Sequence, residues 1–113
     1  MNKLFAFVFS IFLLAPAALE AAVYKGQNEF VKKCTKCHKS GQDFVSTKTQ
    51  KEWKKLMNNK GEELASIHIN STNSDASASS EYFESSAYAK KAKHLSDFLE
   101  EYAKDSGRVP ACN

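Results

Sequence analysis

Cys34-Thr35-Lys36-Cys37-His38 sets two thiols three residues apart and places an imidazole directly after the second. This C-x-x-C-H spacing is that of a c-type haem attachment site. Each thiol adds across one vinyl group of the porphyrin, and the histidine that follows can reach the iron from the same side. Cys34 and Cys37 are therefore the expected thioether residues and His38 the expected proximal ligand. One short motif supplies tether and ligand together, and it calls for apolar helices to enclose the ring.

Upstream of the motif, Tyr24, Phe30, Val31 and Cys34 recur at roughly helical spacing, which predicts a first helix delivering the cysteines to the ring. Further back, Lys3 precedes an apolar run from Leu4 to Leu14 that only Ser10 interrupts, and Ala15-Pro16-Ala17 supplies small residues. That order reads as an export signal, cut after Ala17 or after Ala21. A membrane span needs about 20 apolar residues, and Pro16 with Glu20 breaks this run early. The expectation is a signal peptide over 1–21 and a single domain over 22–113, located in the periplasm with no stable membrane insertion after cleavage. A domain of that size buries a low fraction of its surface and leans on a cross-link, a part that a bound porphyrin can fill.

Downstream, Ser40-Gly41-Gln42-Asp43 reads as a turn and Phe44-Val45 as a short apolar plug. Thr49-Gln50-Lys51-Glu52 matches a capping box, in which hydroxyl and carboxylate each satisfy an unpaired amide at a helix start. Trp53, Leu56 and Met57 then follow at i, i+3 and i+4, and Asn59-Lys60-Gly61 supplies a stop. A third helix from Glu62 to about Ile69 sets Leu64, Ile67 and His68 on one face. The stretch at about 70–80 is small and polar without periodicity and reads as a surface loop. Tyr88, Ala92, Leu95, Phe98, Leu99 and Tyr102 form the clearest apolar stripe, with Gly107 and Pro110 marking the end of that last helix. Its expected partner is the first helix, since neither can bury its face alone. No period-two alternation occurs, so the fold class is all-α.

The chain carries a formal net charge of +3, distributed unevenly. From Lys25 to Lys60 ten lysines face three acids, whereas from Gly61 onward five basic residues face nine acidic ones. Such a dipole steers encounter with a charged partner. The third cysteine, Cys112, is left over near the C-terminus and reads as a tail thiol without redox work.

With these elements in place, the chain resembles a small monohaem c-type cytochrome of the class I kind. The resemblance rests on a helix ending in Cys34-Thr35-Lys36-Cys37-His38, a middle region of short helices and loops, and a C-terminal amphipathic helix bearing Leu95, Phe98 and Tyr102. It implies a bundle of three to four helices around one covalently attached haem c, with crossing terminal helices and an exposed haem edge. It further implies a periplasmic electron carrier, not an enzyme, that shuttles single electrons between redox proteins. Its implied partners are cytochrome maturation machinery and redox proteins acidic at the docking surface, which would meet lysines such as Lys33, Lys36 and Lys39; no nucleic acid is expected.

The family's sixth ligand is commonly a methionine shortly before the last helix, and no methionine stands there. His68 is the preferred distal ligand, because an imidazole on an apolar helical face needs a partner. Met57 is the runner-up, although a methionine beside Trp53 also suits core filling. Trp53 is a candidate wall of the haem pocket, and His94 reads as a surface residue. An empty sixth site is the alternative, giving a haem protein that binds a diatomic ligand or acts as a small haem enzyme. Two haem-free readings compete: a thiol oxidoreductase built on Cys34 and Cys37, and a zinc site from Cys34, Cys37, His68 and His94.

Overall fold

The computed structural model describes the backbone of residues 2–110 and the side chains of residues 18–110. Residues 111–113, with Cys112 among them, lie outside the described residues, as do the side chains through Ala17, where the export signal is expected. Helix α1 (Asn2–Lys33) runs without interruption past both expected cleavage points into the Cys34 motif. It is followed by α2 (Gly41–Phe44), a 3-10 turn (Val45–Thr47), α3 (Gln50–Ile69), α4 (Ser74–Ala78), α5 (Ser80–Glu84) and α6 (Ser86–Glu101). Among the described residues there is no strand, and no helix is long and apolar enough to cross a membrane. The all-α expectation holds. The helix count exceeds the expected three to four because α2, α4 and α5 are single turns, too short to leave a periodic signature.

The core forms where α6 packs between α1 and α3. Tyr88, Ala92, Leu95, Phe98 and Leu99 are all buried along α6, as their spacing requires. They meet Val23 and Phe30 of α1 and Trp53, Met57 and Ala65 of α3. The predicted face of α1 is partly corrected: Tyr24 and Val31 are exposed, at 63% and 43%, and the buried stripe runs Val23, Gly26, Phe30. The reason is backbone proximity. A Cβ added to Gly26 would overlap the backbone carbonyl oxygen of His94 and lie 2.7 Å from Phe98 Cβ. Glycine permits the α1–α6 crossing, and a count of apolar side chains does not register it. Gly26→Ala is expected to force the helices apart and to lower stability by about 1–3 kcal/mol or more, measured by thermal or urea unfolding against Gly107→Ala. At Gly107 a Cβ meets nothing within 4 Å, although its φ of +73° also carries a penalty.

The capping box forms as the sequence dictates: Glu52 N donates to Thr49 Oγ1 at 3.2 Å and Thr49 N donates to Glu52 Oε2 at 3.0 Å. The helix so begun breaks at the predicted stop. Asn59, Lys60 and Gly61 take φ values of +52°, +58° and +72°, a left-handed turn that divides α3 into two arms. Two non-glycine residues in that region cost on the order of 1 kcal/mol each. The Tyr88 hydroxyl offsets part of this by donating to the Gly61 carbonyl at 2.7 Å in a buried hydrogen bond. The turn swings the second arm, Glu62 to Ile69, so that Leu64, Ile67 and His68 face the region of the Cys34 motif.

The stretch read as a loop contains α4 and leads into α5. Asn73 Oδ1 accepts from the amides of Asp75 and Ala76, at 2.9 and 3.3 Å, and this cap starts α4 where no apolar repeat announces a helix. After α6 the chain turns back. Lys104 N donates to Lys48 O at 2.9 Å, Gln50 N donates to Asp105 Oδ1 at 2.8 Å, and Gln42 Nε2 donates to Pro110 O at 2.9 Å.

Candidate functional site

One cavity of about 410 Å³ gathers most of the side chains singled out in the sequence. Cys34, Cys37 and His38 line it from the end of α1, Trp53, Leu64, Ile67 and His68 from the two arms of α3, Phe83 from α5, and Leu95 and Leu99 from α6. Its size falls within the few hundred to a thousand Å³ typical of cofactor sites, and its walls are largely apolar and aromatic. A polar rim comes from Ser71, Asn73, Asp75 and Ser79, and Lys33 stands at its edge.

The motif keeps helical geometry past the end of α1. Cys34 N donates to Phe30 O at 2.8 Å, Cys37 N to Cys34 O at 3.2 Å and His38 N to Cys34 O at 2.9 Å. This extra turn brings both thiols and the imidazole to the same wall. Burial pushes the Cys34 thiol up to about 12, with the Glu29 carboxylate and then Cys37 adding to the shift. Cys37 is exposed. A thiol oxidoreductase needs an attacking cysteine whose thiolate is favoured, and Cys34 has the opposite environment.

The two imidazoles lie in matching surroundings. His38 stacks on Phe44 with ring centroids 4.0 Å apart, and His68 stacks on Phe83 at 4.2 Å. The centroids of His38 and His68 are 6.1 Å apart and their planes stand at 86°. Two imidazoles that share one metal, each bound at about 2 Å, have ring centres roughly 6 Å apart. His68 Nδ1 lies 2.7 Å from the Leu64 carbonyl, which can only accept, so Nδ1 donates and Nε2 is the nitrogen left for a ligand. A carbonyl holding the far nitrogen is the usual way a protein orients a metal-binding histidine. Burial, and then the neighbouring His68, lowers the His38 pKa and favours its neutral, ligating form.

The other candidates are dispersed. Trp53 is fully buried against the cavity, with its indole N–H donating to Val45 O at 2.8 Å. Met57 is buried close to Gly61 and does not line the cavity. His94 sits on α6 at the crossing with Gly26, away from the cavity, and its buried Nδ1 has no hydrogen-bond partner. The surface position expected for His94 is thereby corrected to a half-buried one, on a turn of α6 whose backbone Gly26 of α1 approaches closely. This separation also corrects the four-residue zinc reading, and among the described residues no group of three or more His, Cys, Asp or Glu side chains is placed to hold a metal ion.

Although Cys34 and Cys37 share the cavity with the two imidazoles, no three of these side chains converge to hold a bare metal ion, which leaves His38 and His68 as a pair of nitrogen donors. They suit an iron that receives its other four bonds from a porphyrin, and the apolar walls suit the porphyrin faces. Phe44 and Phe83 are the contributors that sequence reasoning missed. Each lies in a weakly periodic segment, and only its position beside a histidine in space gives it a role. The chain matches no protein-family model, no curated protein and no solved structure, so the reading of this site rests on its own residues and geometry.

Proposed function

We propose that the protein is a periplasmic electron carrier with one haem c, tethered through Cys34 and Cys37, and with His38 and His68 as the two axial ligands. The observation that carries this reading is the pair of imidazoles, 6.1 Å apart at one cavity, beside the two thiols of the C-x-x-C-H motif. When bound, the haem supplies a reversible one-electron couple.

The chain's own residues set the conditions for that couple. His38 and His68 would hold the haem iron from two sides and so leave no room for an exogenous ligand, which would favour electron transfer over ligand binding. Phe30, Trp53, Leu64, Leu95 and Leu99 line the cavity and would keep water from the faces of a bound porphyrin. Lys36 and Lys39 are exposed beside the motif and Lys33 at the cavity edge, so a partner with an acidic docking surface would be steered to the side where Cys37 meets solvent. Exposed Ile67 adds an apolar contact at the same opening.

The test is to export the protein in a host with cytochrome maturation machinery and record its mass and its oxidised and reduced spectra. The expected result is one haem per chain retained under denaturation, low-spin iron in both states, and slow reaction of the reduced form with carbon monoxide. A colourless product with the mass of the bare polypeptide would sink the proposal. A high-spin spectrum with immediate carbon monoxide binding would instead favour the ligand-binding haem protein.

A further inference from the structure

Tyr82 is held from α1 by two separate contacts. Its hydroxyl donates to Glu29 Oε1 at 2.6 Å, a length typical of a strong hydrogen bond to a carboxylate. The Lys33 ammonium lies 5.2 Å from the centre of its ring, within cation–π range. Glu29 and Lys33 are four residues apart and therefore share one face of α1 on consecutive turns. Tyr82 belongs to α5, which packs chiefly on α3 and α6 and whose next residue is Phe83. Phe83 stacks on His68, its ring 24° from parallel, and also meets Tyr82 and Tyr88 edge-on at 5.2 and 4.9 Å.

The contacts form a chain from the helix that carries the cysteines to the histidine across the cavity. Glu29 and Lys33 grip Tyr82, Tyr82 fixes α5, and α5 presents Phe83 to His68. Among the described residues Phe83 is the ring stacked on the His68 face, whereas the Leu64 carbonyl restrains its Nδ1 edge. Burial raises the Tyr82 pKa, and the Glu29 carboxylate raises it further, so the phenol stays a donor across the working pH range.

We propose that Tyr82, gripped by Glu29 and Lys33, is the positioning residue that keeps Phe83 on His68 and so keeps the His68 imidazole seated at the cavity. This deepens the axial-ligand reading and rests on it for its main test. Tyr82→Phe removes one hydroxyl and preserves the ring. In the reduced holoprotein it is expected to raise the rate of carbon monoxide binding about tenfold, as the lost hydrogen bond to a charged group lets His68 leave more often. Glu29→Ala should match it, and Glu29→Gln, whose amide oxygen still accepts, should recover part of the wild-type rate.

Thr49→Ala serves as the control for general loosening. It deletes a helix cap and costs about 1 kcal/mol without touching α5, so carbon monoxide kinetics should not change. An unaltered rate in Tyr82→Phe, or an equal rise in Thr49→Ala, overturns the proposal while leaving a coloured, low-spin wild type intact. Should the wild type be colourless or open at its sixth site, the axial reading fails, and the grip on α5 is read from the His68 ring protons by NMR. Their upfield displacement by the Phe83 ring should diminish in Tyr82→Phe, and identical resonances would overturn the positioning role.

Discussion

Replacing Cys34 and Cys37 together by serine is expected to abolish all haem that survives denaturation. A thiol adds across a porphyrin vinyl group and leaves a stable thioether, whereas a serine hydroxyl in the same place does not. Both thiols line the cavity wall beside His38, so the double substitution removes the tether and leaves both imidazoles in place. Any residual haem should be bound non-covalently and be extracted by acidified organic solvent. The protein should also lose stability, because a small domain built around one apolar cavity has few other cross-links. Far-ultraviolet circular dichroism and solvent extraction, run on the same sample, separate loss of attachment from loss of fold. Haem that resists extraction from the double variant would refute the attachment argument.

The second large effect is expected from His68→Ala. Covalent haem should be retained in full, while the low-spin spectrum converts to a high-spin one and carbon monoxide binds the reduced form at once. The expectation follows from where His68 stands. Its Nδ1 proton is committed to the Leu64 carbonyl, its ring is stacked on Phe83, and its centroid lies 6.1 Å from that of His38. Alanine empties this position, and no other described nitrogen or sulfur donor lines the cavity apart from the two cysteines, His38 and Lys33. Met57→Ala, by contrast, should lower stability by about 2–5 kcal/mol through a core cavity and leave the spectrum unaltered, since Met57 is buried away from the site. A low-spin spectrum in His68→Ala would remove His68 from the iron and point to Lys33.

Much of the helical framework was readable in advance because its signals are local. The Thr49–Glu52 capping box, the Asn59-Lys60-Gly61 stop and the α6 stripe each involve residues within one or two turns of each other. Local hydrogen bonds and side-chain spacing suffice to specify them. The errors fall where the deciding contact is distant in sequence. Tyr24 and Val31 follow the helical period but face solvent, because the close approach of α6 at Gly26 selects a neighbouring stripe of α1. Helix α4 was hidden because it depends on one asparagine cap and the single half-buried Ala76 rather than on any repeat.

The site divides along the same line. The five residues Cys34 to His38 set two thiols and an imidazole side by side by covalent spacing alone, so the motif is legible from the chain itself. Sequence could rank His68, Met57 and His94 only by the company each keeps on its own helix. The left-handed turn at Asn59–Gly61 turns His68 toward His38, leaves Met57 in the core and has no bearing on His94, whose backbone Gly26 of α1 approaches closely. Residue spacing along the chain determined the C-x-x-C-H motif and the all-helical class. Which of three candidate side chains shares a cavity with that motif was decided by how α3 bends and how α1 and α6 cross, since two histidines thirty residues apart are brought together only by packing.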